Sequence, residues 1–175
     1  MKSSYSIILI LLGFVIFAGG CRNDKDTSAR TGNEAIDFRL DTLEYERFYL
    51  NQHRGKVVVL AFWATWCNIC KSELVELKLL VALPEYKNVV VAAVCNDPEN
   101  IDDVKTITKA LDINYPVLLD KQAKVSKKLE ISAVPTIIVI DQTGKISLIR
   151  RGYDAGTIPQ IKKNIESLLA SDKSN

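Results

Sequence analysis

The sequence predicts an α/β domain on a mixed sheet with a largely parallel centre. Short apolar runs at residues 57–62, 89–94, 116–119 and 136–140 read as buried strands. Stretches with apolar residues at helical spacing, 71–83, 101–111 and 158–169, alternate with them. Gln142-Thr143-Gly144 is a hairpin turn leading to a return strand at 146–150, which adds an antiparallel pair at one edge.

The chain has 175 residues, enough for one domain with a sizeable core and not for two. Apolar residues make up 47% and charged residues 25%, as in an ordinary globular domain. The formal net charge of +2 asks for no nucleic-acid partner. The basic residues Lys145, Arg150, Arg151, Lys162 and Lys163 are interleaved with apolar ones and read as solvated faces of a strand and a helix.

In chain order, residues 1–20 read as a lipoprotein-type signal peptide. Lys2 precedes an apolar run at 7–17, then Ala18-Gly19-Gly20 and Cys21. The apolar run is short for a membrane span. A Cys at that point looks like a bacterial lipoprotein signal, in which the cysteine becomes the acylated first residue. Ala18 departs from the Leu usual three positions before it. The expected product is a lipid-anchored domain on the outer side of a membrane, attached through Cys21. Residues 21–35 are polar and read as a flexible linker, 36–170 as the domain, and 171–175 as a C-terminal tail.

Within the domain, 38–40 suggests a short edge strand and 48–50 another extended piece. Gly55-Lys56 is a turn into the strand 57–62. Leu74, Leu77 and Leu80 mark the buried face of the helix 71–83, and Pro84 ends it. Asp97-Pro98 is a turn before the amphipathic helix 101–111. A short helix is expected at 123–129, and the C-terminal helix at 158–169.

The chemistry concentrates in Trp63-Ala64-Thr65-Trp66-Cys67-Asn68-Ile69-Cys70, where the first apolar strand runs into a helix. Cys67 falls at the helix N-terminus, where unpaired N–H groups and the helix dipole favour a thiolate. It is the expected attacking thiol, with Cys70 resolving the mixed disulfide. A Cys-X-X-Cys can also begin a zinc site, but that needs two more ligands, and only Cys95 and His53 are available. No metal and no other cofactor is expected. Trp63 reads as core, and Trp66 as a residue lining the site. Cys95 reads as a small buried hydrophobe, the sharper reading being a third redox thiol. His53 carries no assigned role.

Residues 62–71, followed by Val134-Pro135-Thr136, resemble the thioredoxin superfamily. More narrowly, the chain resembles the TlpA/ResA-like membrane-tethered thiol-disulfide oxidoreductases. The Gly55-Lys56 lead-in, Glu73 one turn after Cys70 and an extra helix and strand at about 97–120 favour that branch. The resemblance implies a thioredoxin-like fold with an N-terminal extension and an inserted helix-strand element. It implies a cis peptide before Pro135, facing the cysteines, with Val134 pairing an extended substrate. It also implies a part for Glu73 as a base, or as an ion that raises the thiol pKa values, against the plainer reading as an acid favouring the helix dipole. Two departures stand out. Ile69 replaces the usual proline, and Ala61 replaces a buried aspartate found in classical thioredoxin.

The resulting expectation is an extracytoplasmic oxidoreductase acting on protein cysteines. The resemblance favours the reducing direction, as in cytochrome c maturation, with electrons from a membrane-embedded thiol donor. The alternatives are a disulfide oxidase or isomerase, or a redox-inert binding lipoprotein or metal carrier. A peroxiredoxin would need Thr-X-X-Cys, whereas Thr65 stands two residues before Cys67.

Overall fold

The computed structural model describes residues 30–172. Cys21 and the signal segment 1–20 lie outside the described residues, as do 173–175.

Seven strands form one sheet in the order β2-β1-β5-β4-β3-β6-β7. They are β1 (Arg39–Thr42), β2 (Arg47–Tyr49), β3 (Val57–Trp63), β4 (Val89–Cys95), β5 (Val117–Leu119), β6 (Thr136–Ile140) and β7 (Ile146–Arg151). Four α-helices accompany them: α1 (Asn68–Val81), α2 (Ile101–Ala110), α3 (Lys124–Lys128) and α4 (Thr157–Asp172). β3, β4 and β5 are mutually parallel, and all other pairings are antiparallel.

The parallel centre explains the composition of β3. All seven of its residues are buried, because both faces of the sheet are covered. Val57, Val59, Ala61 and Trp63 face one layer with Leu74 and Leu77 of α1, Val104 of α2, and Ile161 and Ile165 of α4. Val58, Leu60 and Phe62 face the other, with Val125 and Leu129 around α3 and with Phe48 and Leu50. Strand alternation thus divides one apolar run between two cores.

Three elements differ from the sequence reading. The segment expected as an edge strand at 38–40 is β1, and it lies inside the sheet, where Asp41 pairs with Leu119 and Thr42 with Leu118. β2 takes the edge instead. The partner of β1 is almost eighty residues away, so no local pattern announces it. The first helix begins at Asn68, three residues before the expected 71, because Cys67 itself caps it. At the other end, α4 runs to Asp172, two residues into the segment read as a tail.

The turn between β6 and β7 is built by Asp141. Its carboxylate accepts hydrogen bonds from the Thr143 and Lys145 N–H groups and from Thr143 Oγ1. Gly144 follows at φ +93°, and a Cβ there would fall on the Arg54 guanidinium.

After β5 the chain turns through Gln122 and Ala123, both at positive φ. Buried Asp120 holds this turn. Its carboxylate accepts from Val125 N at 2.9 Å, Ser126 N at 2.8 Å and Ser126 Oγ at 2.7 Å. Asp120→Ala leaves those donors buried and unpaired, and a loss of about 2–3 kcal/mol is expected in urea unfolding. Unchanged stability would show that water replaces the carboxylate without cost.

Candidate active site

The site grows from the end of β3. Trp63 is fully buried and paired with Cys95 of β4, and the chain then turns through Ala64, Thr65 and Trp66. The Cys67 N–H donates to Ala64 O at 3.0 Å, which closes the turn. Cys67 caps α1, and its sulfur accepts from Cys70 N–H at 3.3 Å. Cys67 and Cys70 form a disulfide with an S–S distance of 2.02 Å. Cys67 is 4% exposed and Cys70 is 0% exposed. The outer sulfur therefore belongs to the residue at the positive end of the helix. Trp66 and Ile69, 70% and 49% exposed, flank the pair and give its rim an apolar character. Trp63 is core, as the sequence suggests.

Glu73 lies one turn beyond Cys70 and is fully buried. Neither carboxylate oxygen has a hydrogen-bond partner. Burial pushes its pKa up to about 8, Arg150 opposes that rise, and Glu76 adds to it. The carboxyl is thus mostly protonated at neutral pH. An acid serving the helix dipole is ordinarily solvated, whereas Glu73 is fully buried. Tyr115 closes this region from the segment before β5. Its hydroxyl donates to Leu74 O at 2.8 Å, and burial together with the nearby Glu73 raises its pKa.

Val134–Pro135 is a cis peptide. Thr136, the next residue, pairs with Phe62 of β3, so Pro135 sits at the register position beside the end of that strand. Pro135 O accepts from Gly152 N at 2.9 Å, and Val134 packs against the core cluster that contains both cysteines. The fold therefore brings Trp66, Cys67, Cys70 and Glu73 together on one strand-helix unit and sets Val134-Pro135 immediately before the neighbouring strand β6.

Residues 31–149 match the AhpC/TSA family. The chain belongs to that family. Among curated relatives, the thiol-disulfide oxidoreductase ResA of Geobacillus thermodenitrificans is 31% identical over 162 residues, covering 93% of this chain and 90% of the relative. ResA of Bacillus cereus is 33% identical over 145 residues, covering 80% and 82%. Among solved structures, one from Chlorobium tepidum, described as a candidate thiol:disulfide interchange protein DsbE, superposes with a TM-score of 0.75 at 25% identity, covering 81% of this chain and 99% of that one. The pneumococcal exposed lipoprotein thioredoxin Etrx1 of Streptococcus pneumoniae gives 0.62 at 30% identity, covering 73% and 98%. The chain is a thiol-disulfide oxidoreductase of thioredoxin-like fold.

Relative to the sequence reading, this AhpC/TSA domain holds three further residues around the motif turn and Glu73. Asp97, read only as a turn residue, accepts hydrogen bonds from Thr65 N at 2.9 Å and Thr65 Oγ1 at 2.7 Å. The available signal was its place just past a strand parallel to β3, on the sheet edge where the motif begins. Tyr115 left no signal at all. Arg150, read as part of a solvated strand face, keeps a buried Nε without a partner while its Nη2 binds Asp154. Cys95 is free and buried. Its thiol donates to Asp97 Oδ1 at 3.3 Å, and burial holds it protonated. His53 stacks on Phe48 with centroids 4.6 Å apart. Among the described residues, no three His, Cys, Asp or Glu side chains group as a metal site requires.

Proposed function

We propose that this chain is a membrane-tethered reductant of protein disulfides outside the cytoplasm, with Cys67 as nucleophile, Cys70 as resolving thiol and Glu73 as their proton acceptor and donor. The observation that carries the reading is the Cys67–Cys70 disulfide capping α1 above a buried, unpartnered carboxyl.

In the reduced protein the Cys67 thiolate attacks one sulfur of a substrate disulfide. That S–S bond breaks, and the other substrate sulfur leaves as a thiolate. Cys70 then attacks Cys67 Sγ in the mixed disulfide, releases the second substrate thiolate and closes the internal bond. The substrate gains two electrons and the pair loses two. Cys70 is buried and must lose its proton at the second step. A carboxyl with a pKa near 8 is matched to a thiol, and its ionised fraction, which grows as pH rises toward 8, accepts the Cys70 proton at low cost.

Trp66, Val134 and Pro135 form the substrate contact in this reading. Trp66 supplies an exposed apolar face, and the backbone at Val134 pairs an extended segment as a strand would. Trp66→Ala is expected to raise KM for a protein substrate about tenfold while leaving the unfolding midpoint within a degree or two. An unchanged KM would remove Trp66 from the contact.

Cys21 carries the lipid, the polar segment after it leads from membrane to domain, and a membrane-embedded thiol donor re-reduces the pair. The expected linker 21–35 is shortened at its end, because Gly32, Asn33 and Ala35 are hydrogen-bonded to Ile146 and Gly144 and so belong to the domain. The pneumococcal neighbour's description as an exposed lipoprotein supports that placement. Among the described residues, no helix is long and apolar enough to cross a membrane. Haem-binding thiols of apocytochrome c are the substrate class that the resemblance to the ResA-like branch favours. The deciding experiment is the reduction potential of the Cys67–Cys70 couple. A value below about −250 mV supports a reductant, and one above about −180 mV makes the protein an oxidase or isomerase.

A further inference from the structure

We propose that Asp97 is a positioning residue for the redox pair: its carboxylate clamps the Ala64–Cys67 turn, so that the Cys67 sulfur stays over the start of α1 after the disulfide opens. This rests on Cys67–Cys70 being the reacting couple.

The clamp is built from the sheet outward. β4 runs parallel to β3, with Cys95 opposite Trp63, and Asn96 N extends the ladder by bonding Trp63 O at 3.0 Å. That fixes the backbone on which Asp97 stands. Its two oxygens then take two donors from a single residue. Oδ1 accepts the Thr65 backbone N–H, and Oδ2 accepts the Thr65 hydroxyl. A charged acceptor holding both the main chain and the side chain of one residue leaves that residue little freedom. The Cys95 thiol donates to the same Oδ1 and fixes the carboxylate from behind. Thr65 lies between Ala64, whose carbonyl closes the turn, and Trp66, whose exposed ring gives the turn little packing of its own. The position of Cys67 is thus referred through Thr65 and Asp97 to the rigid centre of the sheet.

The consequence is thermodynamic. Closing the internal disulfide depends on how often one thiol meets the other, and a turn that drifts when reduced lowers that effective concentration. In glutathione buffer, two glutathione thiols give two electrons and two protons to the Cys67–Cys70 disulfide, producing the dithiol and glutathione disulfide. Loss of the clamp shifts this equilibrium toward the dithiol.

The test is the equilibrium constant with glutathione for the full chain and for Asp97→Ala, Asp97→Asn and Thr65→Val, with thermal unfolding measured alongside. Asp97→Ala is expected to favour the dithiol about tenfold, equivalent to ~30 mV. Asp97→Asn keeps an acceptor for Thr65 N–H and offers an amide donor to Thr65 Oγ1, so it should stay within about twofold of the parent. Thr65→Val removes one of the two links and should move the constant about threefold. A folded Asp97→Ala with an unchanged constant overturns the clamp. So does an Asp97→Asn shift as large as that of Asp97→Ala, which would make charge the cause. Should Asp97→Ala not fold, Thr65→Val decides alone, and no shift there overturns the proposal. A parent protein whose Cys67–Cys70 disulfide reaches no reversible equilibrium with glutathione or with the stronger reductant dithiothreitol overturns the redox reading itself, an outcome distinct from failure of the clamp.

Discussion

Cys67→Ser is expected to abolish reduction of a protein disulfide, with a loss of at least about a thousandfold in kcat/KM. The serine hydroxyl does not ionise in the range where a thiol at a helix N-terminus does, so the only thiols left in the domain are the buried Cys70 and Cys95. Cys70→Ser should behave differently. Cys67 still attacks, but nothing resolves the product, so the variant accumulates a mixed disulfide with its substrate. The asymmetry follows from the geometry: Cys67 caps the helix at the surface side, while Cys70 is sealed beneath it. Trapping by each single variant, read by mass on a non-reducing gel, checks the assignment. Capture by Cys67→Ser and none by Cys70→Ser would reverse the two roles. Capture by neither, with a folded protein, would leave the pair a structural disulfide.

Glu73→Gln should make the oxidised protein more resistant to unfolding at alkaline pH and change little in acid. The folded pKa of Glu73 is raised from an ordinary 4.5 to about 8, so the fold holds a proton that the unfolded chain releases. Its contribution is therefore fully present below about pH 4.5 and is lost as pH rises toward 8. In that window the stability of the parent falls by about 1.4 kcal/mol per pH unit relative to the Gln variant, a total on the order of 4 kcal/mol. The other charges coupled to this carboxyl are Arg150, which favours its ionised form, and Glu76, which opposes it. Tyr115 and Tyr153 also feel Glu73, but their own pKa values are raised and both stay neutral across the window. Urea midpoints from pH 5 to 8.5 check the sign. Parallel curves would mean that Glu73 is ionised throughout. In single turnover, the same variant should slow attack by Cys70 between about tenfold and a hundredfold, while formation of the mixed disulfide at Cys67 is less affected.

The parts of this protein legible in its sequence are those carried by short-range pattern. Four core strands, the helix bearing Leu74 and Leu77, and the thiol pair at its start follow from local periodicity and from the helix end that Cys67 occupies. The cis Val134–Pro135 bond follows only from the resemblance to a family, as does the proposal of a part for Glu73, since a proline before a strand and an acid in a helix are individually common. Other features depended on which distant segments meet. β1 entered the sheet because β5 offers it an edge, a pairing that neither segment encodes alone. Asp97 looked like half of an Asp-Pro turn, yet it reaches Thr65 across 32 positions because β3 and β4 end side by side. The raised pKa of Glu73 is likewise a property of enclosure. The sequence by itself determined the reacting sulfurs and the strand-helix junction that presents them, because a helix end and a two-residue spacing are local geometry. Only the tertiary structure decided what surrounds them, because burial, desolvation and a clamp between neighbouring strands exist only once remote parts of the chain have packed together.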